Sequence, residues 1–127
     1  MAIIDRLKKE HRLLKSILAD ISRSDMYSAG RKELFTLLRA NLISHTELEL
    51  KQFYGTIQQN TKIDEKLRFV FDDELEKVHA QVLYILDTIV EFNYEKADDA
   101  KLLQEMIGAR IDIEEEVLFP IYKKYCS

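Results

Sequence analysis

Glycine, proline and cysteine are scarce in this chain of 127 residues: three, one and one. So few turn-forming residues leave little room for frequent tight turns and favour helices joined by short connections. The single Cys126 cannot form an internal disulfide, and a thiolate metal site lacks donors. No apolar run approaches the length needed to span a bilayer. Met1-Ala2-Ile3-Ile4-Asp5 opens a helix rather than a signal peptide, so a cytoplasmic protein with no membrane partner is expected. Basic tracts are missing too. Lys+Arg 19 against Asp+Glu 23 gives a net charge of -4, which excludes a nucleic-acid footprint. Neither a phosphate-binding glycine loop nor a hydrolase nucleophile motif occurs, so the sequence leans away from an enzyme.

What the chain does contain is a patterned composition, 46% hydrophobic and 33% charged, sufficient for one domain over 1-127 with a hydrophobic core. Ile4, Leu7, His11, Leu14, Ile17, Leu18 and Ile21 fall on one stripe of a first helix over about Ile3 to Ser22. Ser24 to Gly30 is a turn-rich break. A second helix carries Leu34, Leu38, Leu42, His45, Glu49 and Phe53 inward and frays into Gln58-Gln59-Asn60-Thr61. Asp64 caps a third, whose stripe is Leu67, Phe71, Leu75, His79, Val82, Leu86 and Ile89. Asn93 to Asp98 forms the third loop. The fourth helix presents Leu103, Ile107, Arg110, Glu114, Val117 and Ile121, and Pro120 should end or kink it. The fold class is therefore all-α, an up-down-up-down four-helix bundle. An internal duplication reinforces it. The stripe Leu7, His11, Leu14 repeats as Leu75, His79, Val82, and His45, Glu49, Phe53-Tyr54-Gly55 repeats as Arg110, Glu114, Leu118-Phe119-Pro120. The bundle is thus two similar helical hairpins.

All three histidines and two carboxylates, Glu49 and Glu114, lie on inward stripes at similar depth. One histidine on an apolar stripe is ordinarily a hydrogen-bonded core residue. Five convergent donors from four helices favour a metal instead, because buried carboxylates need a partner or a cation. Imidazole with carboxylate suits iron, manganese or zinc. A ferritin-like site fits poorly, since only Glu76 and His79 have its Glu-x-x-His spacing. Of Glu114-Glu115-Glu116, one member faces inward and the other two belong to the surface.

The sequence resembles the hemerythrin-like, HHE cation-binding family. The likeness rests on Glu10-His11-Arg12-Leu13-Leu14, on His45-x-x-x-Glu49, on Val78-His79-Ala80, and on Glu114-Glu115-Glu116-Val117-Leu118-Phe119-Pro120. It covers nearly the whole chain. The resemblance implies a non-haem di-iron site in which His11 and His45 serve one iron and His79 the other, with Glu49 and Glu114 bridging. It also implies O2 or NO as small ligands, or iron handling and sensing. Arg110 stands where the family places a fourth-helix histidine. Arginine stays protonated and has no lone pair to donate, so one iron rather than two becomes an option. The alternative from another class is a metal-free helical bundle, a structural or protein-interaction module in which Arg110 pairs with Glu114 and Glu49.

Overall fold

The computed structural model describes residues 2-25, 28-90 and 97-126, with the side chains of 87-90 and 97-99 outside that description. The described chain is all-helical and contains four long rods. The first is α1 (Ile3-Arg23). The second joins α2 (Ala29-Leu48), a π-helical turn π1 (Glu49-Tyr54) and α3 (Gly55-Gln59). The third is α4 (Glu65-Val90). The fourth joins α5 (Ala97-Ile113), a second π-helical turn π2 (Glu114-Leu118) and α6 (Phe119-Cys126).

Local chemistry sets the ends. Ser28 Oγ accepts the Arg31 N-H at 3.1 Å and starts α2, and Asp64 Oδ1 accepts the Leu67 N-H at 2.9 Å and starts α4. Buried Arg31 donates Nη1-H at 2.7 Å to the Ile21 carbonyl, which also accepts from the Ser24 N-H and hydroxyl, and so ties α2 to the end of α1. Ala97 and Asp98, expected in the third loop, already belong to α5. Asn93 and positions 94-96 of that loop, and the Ile89 side chain, lie outside the described residues.

Pairs of contacts fix the directions of neighbouring rods. Arg31 meets Ile21 while His45 meets Glu10, so α2 runs antiparallel to α1. Ser22 meets Gln104 and His11 meets Glu115, so the fourth rod also runs antiparallel to α1. Two apolar clusters fill the interior. Leu14, Ile17, Ile21, Phe35, Leu38, Ile85, Leu103 and Ile107 form one. Leu7, Phe53, Tyr54, Ile57, Phe71, Val78, Leu118 and Phe119 are among the members of the other. His11, His45, Glu49 and Glu114 fall at the junction of the two.

Two expectations fail here, and one holds only in altered form. His79 is exposed, because α4 buries Phe71, Val78 and Ile85 at seven-residue spacing, with Leu75 and Val82 beside them. Val78 gains more from that burial than an imidazole would, so the helix turns His79 outward. Pro120 neither ends nor breaks its rod, which continues through α6. A proline ring clashes with the carbonyl four residues back in a regular α-helix, and the widened π2 turn immediately before it relieves that clash. Val117, expected inward, is 48% exposed, whereas Leu118 and Phe119 are buried. The extra residue in π2 shifts the inward register by one.

Candidate metal centre

Each carboxylate in the buried layer opens a π turn: Glu49 begins π1 and Glu114 begins π2. The Gly55 N-H reaches back to the Leu50 carbonyl, and the Phe119 N-H to that of Glu114, both five residues earlier. This wider turn lets Glu49, Phe53 and Tyr54 all face the interior, and likewise Glu114, Leu118 and Phe119. A uniform α-helix would turn one member of each set outward. π turns of this kind recur at functional sites.

The layer itself is compact. One donor atom each from His11, His45, Glu49 and Glu114 lie within 4.8 Å of one another, and all four residues are buried. His11 Nε2 stands 3.2 Å from Glu114 Oε1, and His45 Nε2 stands 3.0 Å from Glu49 Oε2. On the far side of each ring a second carboxylate takes over. His11 Nδ1 is 3.1 Å from Glu115 Oε2, and His45 Nδ1 is 2.9 Å from Glu10 Oε1. A carboxylate only accepts, so the tautomer that satisfies both outer contacts carries the proton on Nδ1 and turns a bare Nε2 lone pair inward. There the two Nε2 atoms meet carboxylate oxygens, which are also lone pairs. His11 Nε2, Glu49 Oε2 and Glu114 Oε2 are buried with no hydrogen-bond partner. Such an arrangement is repulsive unless a proton or a cation sits at its centre.

That is the test for a metal, and these residues pass it. Two imidazole nitrogens and two carboxylate oxygens converge, and each of the two rings is held by an outer carboxylate, the usual support for histidine at a metal. Phe119 stacks on His11 with centroids 5.6 Å apart and an interplanar angle of 7°, fixing the ring further. Burial, together with the Glu49 charge beside it, pushes the Glu114 carboxyl up to about 8. Glu49 is also raised, first by burial, while its contact with Glu114 opposes the shift. Raised this far, the Glu114 carboxyl favours its neutral form near pH 7, which eases the repulsion within the metal-free layer.

Four of the five expected ligands are therefore brought together; His79 is not. In its place α4 sends Glu74 inward, and Arg110 Nη1 donates to Glu74 Oε2 at 2.6 Å. Arg110 Nη2 donates to the Tyr54 hydroxyl at 3.0 Å. Its Nε lies 4.0 Å from Glu114 Oε2, a long ion pair without a hydrogen bond, so Arg110 pairs closely with Glu74 in addition to the expected Glu114. Tyr54 is held neutral by burial and by the Glu49 and Glu114 charges, which raise its pKa far above the usual phenol value. Glu76 remains exposed.

Glu10, Glu115 and Glu74 are functional neighbours that periodicity alone did not single out. For the first two a signal existed, an acidic residue directly beside an inward His or Glu. Glu115, a surface residue by sequence, is 31% exposed and reaches His11 across the α1 boundary. A cavity of about 30 Å³ opens next to the layer, bounded by His45, Glu49, Arg110 and Glu114 at its polar end and by residues such as Leu14, Val82 and Ile107 elsewhere. No described helix is long and apolar enough to cross a membrane. Compared with protein-family models, curated proteins and solved structures, the chain has no significant match.

Proposed function

We propose that this chain is a hemerythrin-like, non-haem iron-binding protein that holds one cation on His11, His45, Glu49 and Glu114. In this reading the four rods form an up-down-up-down bundle, and the protein is cytoplasmic and binds or senses iron, or a small diatomic ligand such as O2 or NO. One observation carries it: two imidazole Nε2 atoms, each ring backed by an outer carboxylate at Nδ1, converge on two buried carboxylates within 4.8 Å. Nitrogen-oxygen donor sets of this kind suit iron, manganese or zinc, and the choice of iron rests on the family resemblance.

A single cation, not two, follows from α4. With His79 outside and Arg110 tied to Glu74, a second ion would have no nitrogen donor and would face a fixed positive charge. Bound by these four residues, iron would supply a redox-active centre. The chain's own residues orient the rings, keep Nε2 unprotonated and wall the site from water. The adjoining cavity, about 30 Å³, exceeds the volume that one water needs, roughly 10-15 Å³.

The metal-free structural module keeps one observation in its favour: Glu114 raised to about 8 can neutralise the layer with a proton. Metal content separates the two. Anaerobic reconstitution with ferrous iron, desalting and elemental analysis should give one iron per chain, and chelation should lower the melting temperature while helical circular dichroism persists. Reconstituted protein that retains no transition metal would defeat the proposal in favour of the structural module.

A further inference from the structure

The outer side of α4 carries the histidine that the buried layer does not use. Phe69, Asp72, Asp73, Glu76, His79 and Leu83 recur at three- and four-residue spacing and are all exposed. They therefore form one continuous face turned away from the core. Phe69 and Leu83, 71% and 64% exposed, are the most exposed large apolar side chains among the described residues. They stand at equal distances, seven residues to either side of Glu76. Between them Glu76 and His79, three apart, present a carboxylate and an imidazole side by side. Neither forms a hydrogen bond or an ion pair among the described residues. Asp73 is held by Lys77 at 3.1 Å, whereas Asp72 and Glu76 leave the middle of the face acidic.

We infer that this face is a cation-dependent dimer interface, in which a second copy of the chain packs its α4 antiparallel and one divalent cation is held by Glu76 and His79 of both copies. Symmetry argues for a second copy. A two-fold interface brings residue i onto j and j onto i. With the axis near Glu76, Phe69 of each copy covers Leu83 of the other, and the two Glu-x-x-His pairs meet in the middle. The acidic centre accounts for the cation. Two such faces repel through Asp72 and Glu76, and contact along a single helix buries too little apolar surface to hold a dimer against that repulsion. A cation reverses the sign. Two imidazole nitrogens and two carboxylate oxygens complete the four-coordinate set that zinc accepts. One copy alone offers two donors, so the site is incomplete in the monomer and desalting empties it. The buried layer, with four donors in one chain, takes the first equivalent of metal. None of its residues contributes to the face, so the inference stands apart from the metal reading above.

Zinc is the probe. Protein is given one equivalent of zinc and desalted, which fixes what the buried layer retains, and is then followed by sedimentation velocity as zinc is added in excess. Wild type should be monomeric after desalting, dimerise in excess zinc with uptake of one further zinc per two chains, and dissociate when that zinc is dialysed away. His79→Ala and Glu76→Ala each remove two of the four donors from the assembled site. Both should stay monomeric in zinc, with helical circular dichroism and retained metal unchanged. Phe69→Ser should weaken the zinc-bound dimer by about 10-fold, since each copy loses one covered ring. Phe69→Asp and Leu83→Lys should each fail to dimerise alone yet pair when mixed, because antiparallel packing sets the two substituted positions against each other. Wild type that stays monomeric in excess zinc, or His79→Ala that dimerises as readily as wild type, would overturn the inference. So would a zinc-bound dimer that Phe69→Asp leaves intact, or a mixture of the two charged variants that stays apart. All these positions are exposed, so folding is not at stake. A desalted wild type that retains no metal counts against the proposed function alone, because the dimer is read in excess zinc.

Discussion

Replacing Glu10 or Glu115 by alanine removes an acceptor from the back of the His45 or His11 ring without touching the four converging donors. The two contacts are unequal. Glu10 stands 2.9 Å from His45 Nδ1 but shares its other oxygen with Arg6 at 3.5 Å, and its side chain is 26% exposed. Glu115 stands 3.1 Å from His11 Nδ1 at 31% exposure. Losing such an outer carboxylate typically costs about 10- to 100-fold in metal affinity, or roughly 1.4-2.7 kcal/mol. The shorter bond and lower exposure place Glu10→Ala toward the upper part of that range and Glu115→Ala toward the lower. Glutamine keeps an acceptor and loses only the charge, so Glu10→Gln should fall between wild type and Glu10→Ala. Because the two carboxylates support different rings, the double variant should approach the product of the single losses. Competition against a chelator of known affinity, with ferrous iron or zinc, measures each value, and circular dichroism confirms the fold. Affinities within about twofold of wild type in both alanine variants would refute the reasoning, since that is far below what an outer carboxylate contributes.

Further outcomes follow from the same geometry. His79→Ala should leave metal affinity and stoichiometry unchanged, because His79 is exposed, and loss of metal from that variant would contradict the layer described above. Arg110→His should not raise the stoichiometry to two irons per chain, since no histidine from α4 faces the new imidazole; elemental analysis of the reconstituted variant reads this directly. Glu114 titrates at about 8 in the folded protein against an ordinary 4.5, so between those values the native state binds more protons than the unfolded one. Stability of the metal-free protein should therefore fall as pH rises through that window, as denaturant melts at a series of pH values will show. Metal uptake below about pH 8 should release protons measurable by calorimetry in buffers of different ionisation enthalpy.

Helical periodicity located the rods because their faces are uniform. The stripe of α1, Ile4 to Ile21, is buried as the spacing implies, and His11 within it could be assigned to the interior from sequence. His45, Glu49 and Glu114 were legible for the same reason. Periodicity failed where the helix departs from 3.6 residues per turn or where two registers compete. On α4 the stripes through Val78 and through His79 share Phe71, Leu75 and Val82, so hydrophobic spacing scarcely separates them, and the family resemblance favoured the wrong one. Packing against the rest of the bundle decided it. At π2 a constant period carried the inward face to Val117, whereas the inserted residue moves it to Leu118. Glu10 and Glu115 were missed for a different reason. They sit at rod boundaries, where a half-exposed carboxylate looks like any surface acid until the neighbouring rod brings a histidine to it.

With three histidines in the chain, long-range nitrogen-proton NMR during a zinc titration tests the central claim most directly. After one equivalent, His11 and His45 should show protonated Nδ1 and zinc-shifted Nε2 resonances. His79 should keep the spectrum it has without zinc. Coordination shifts at His79, or none at His11 and His45, would contradict the account.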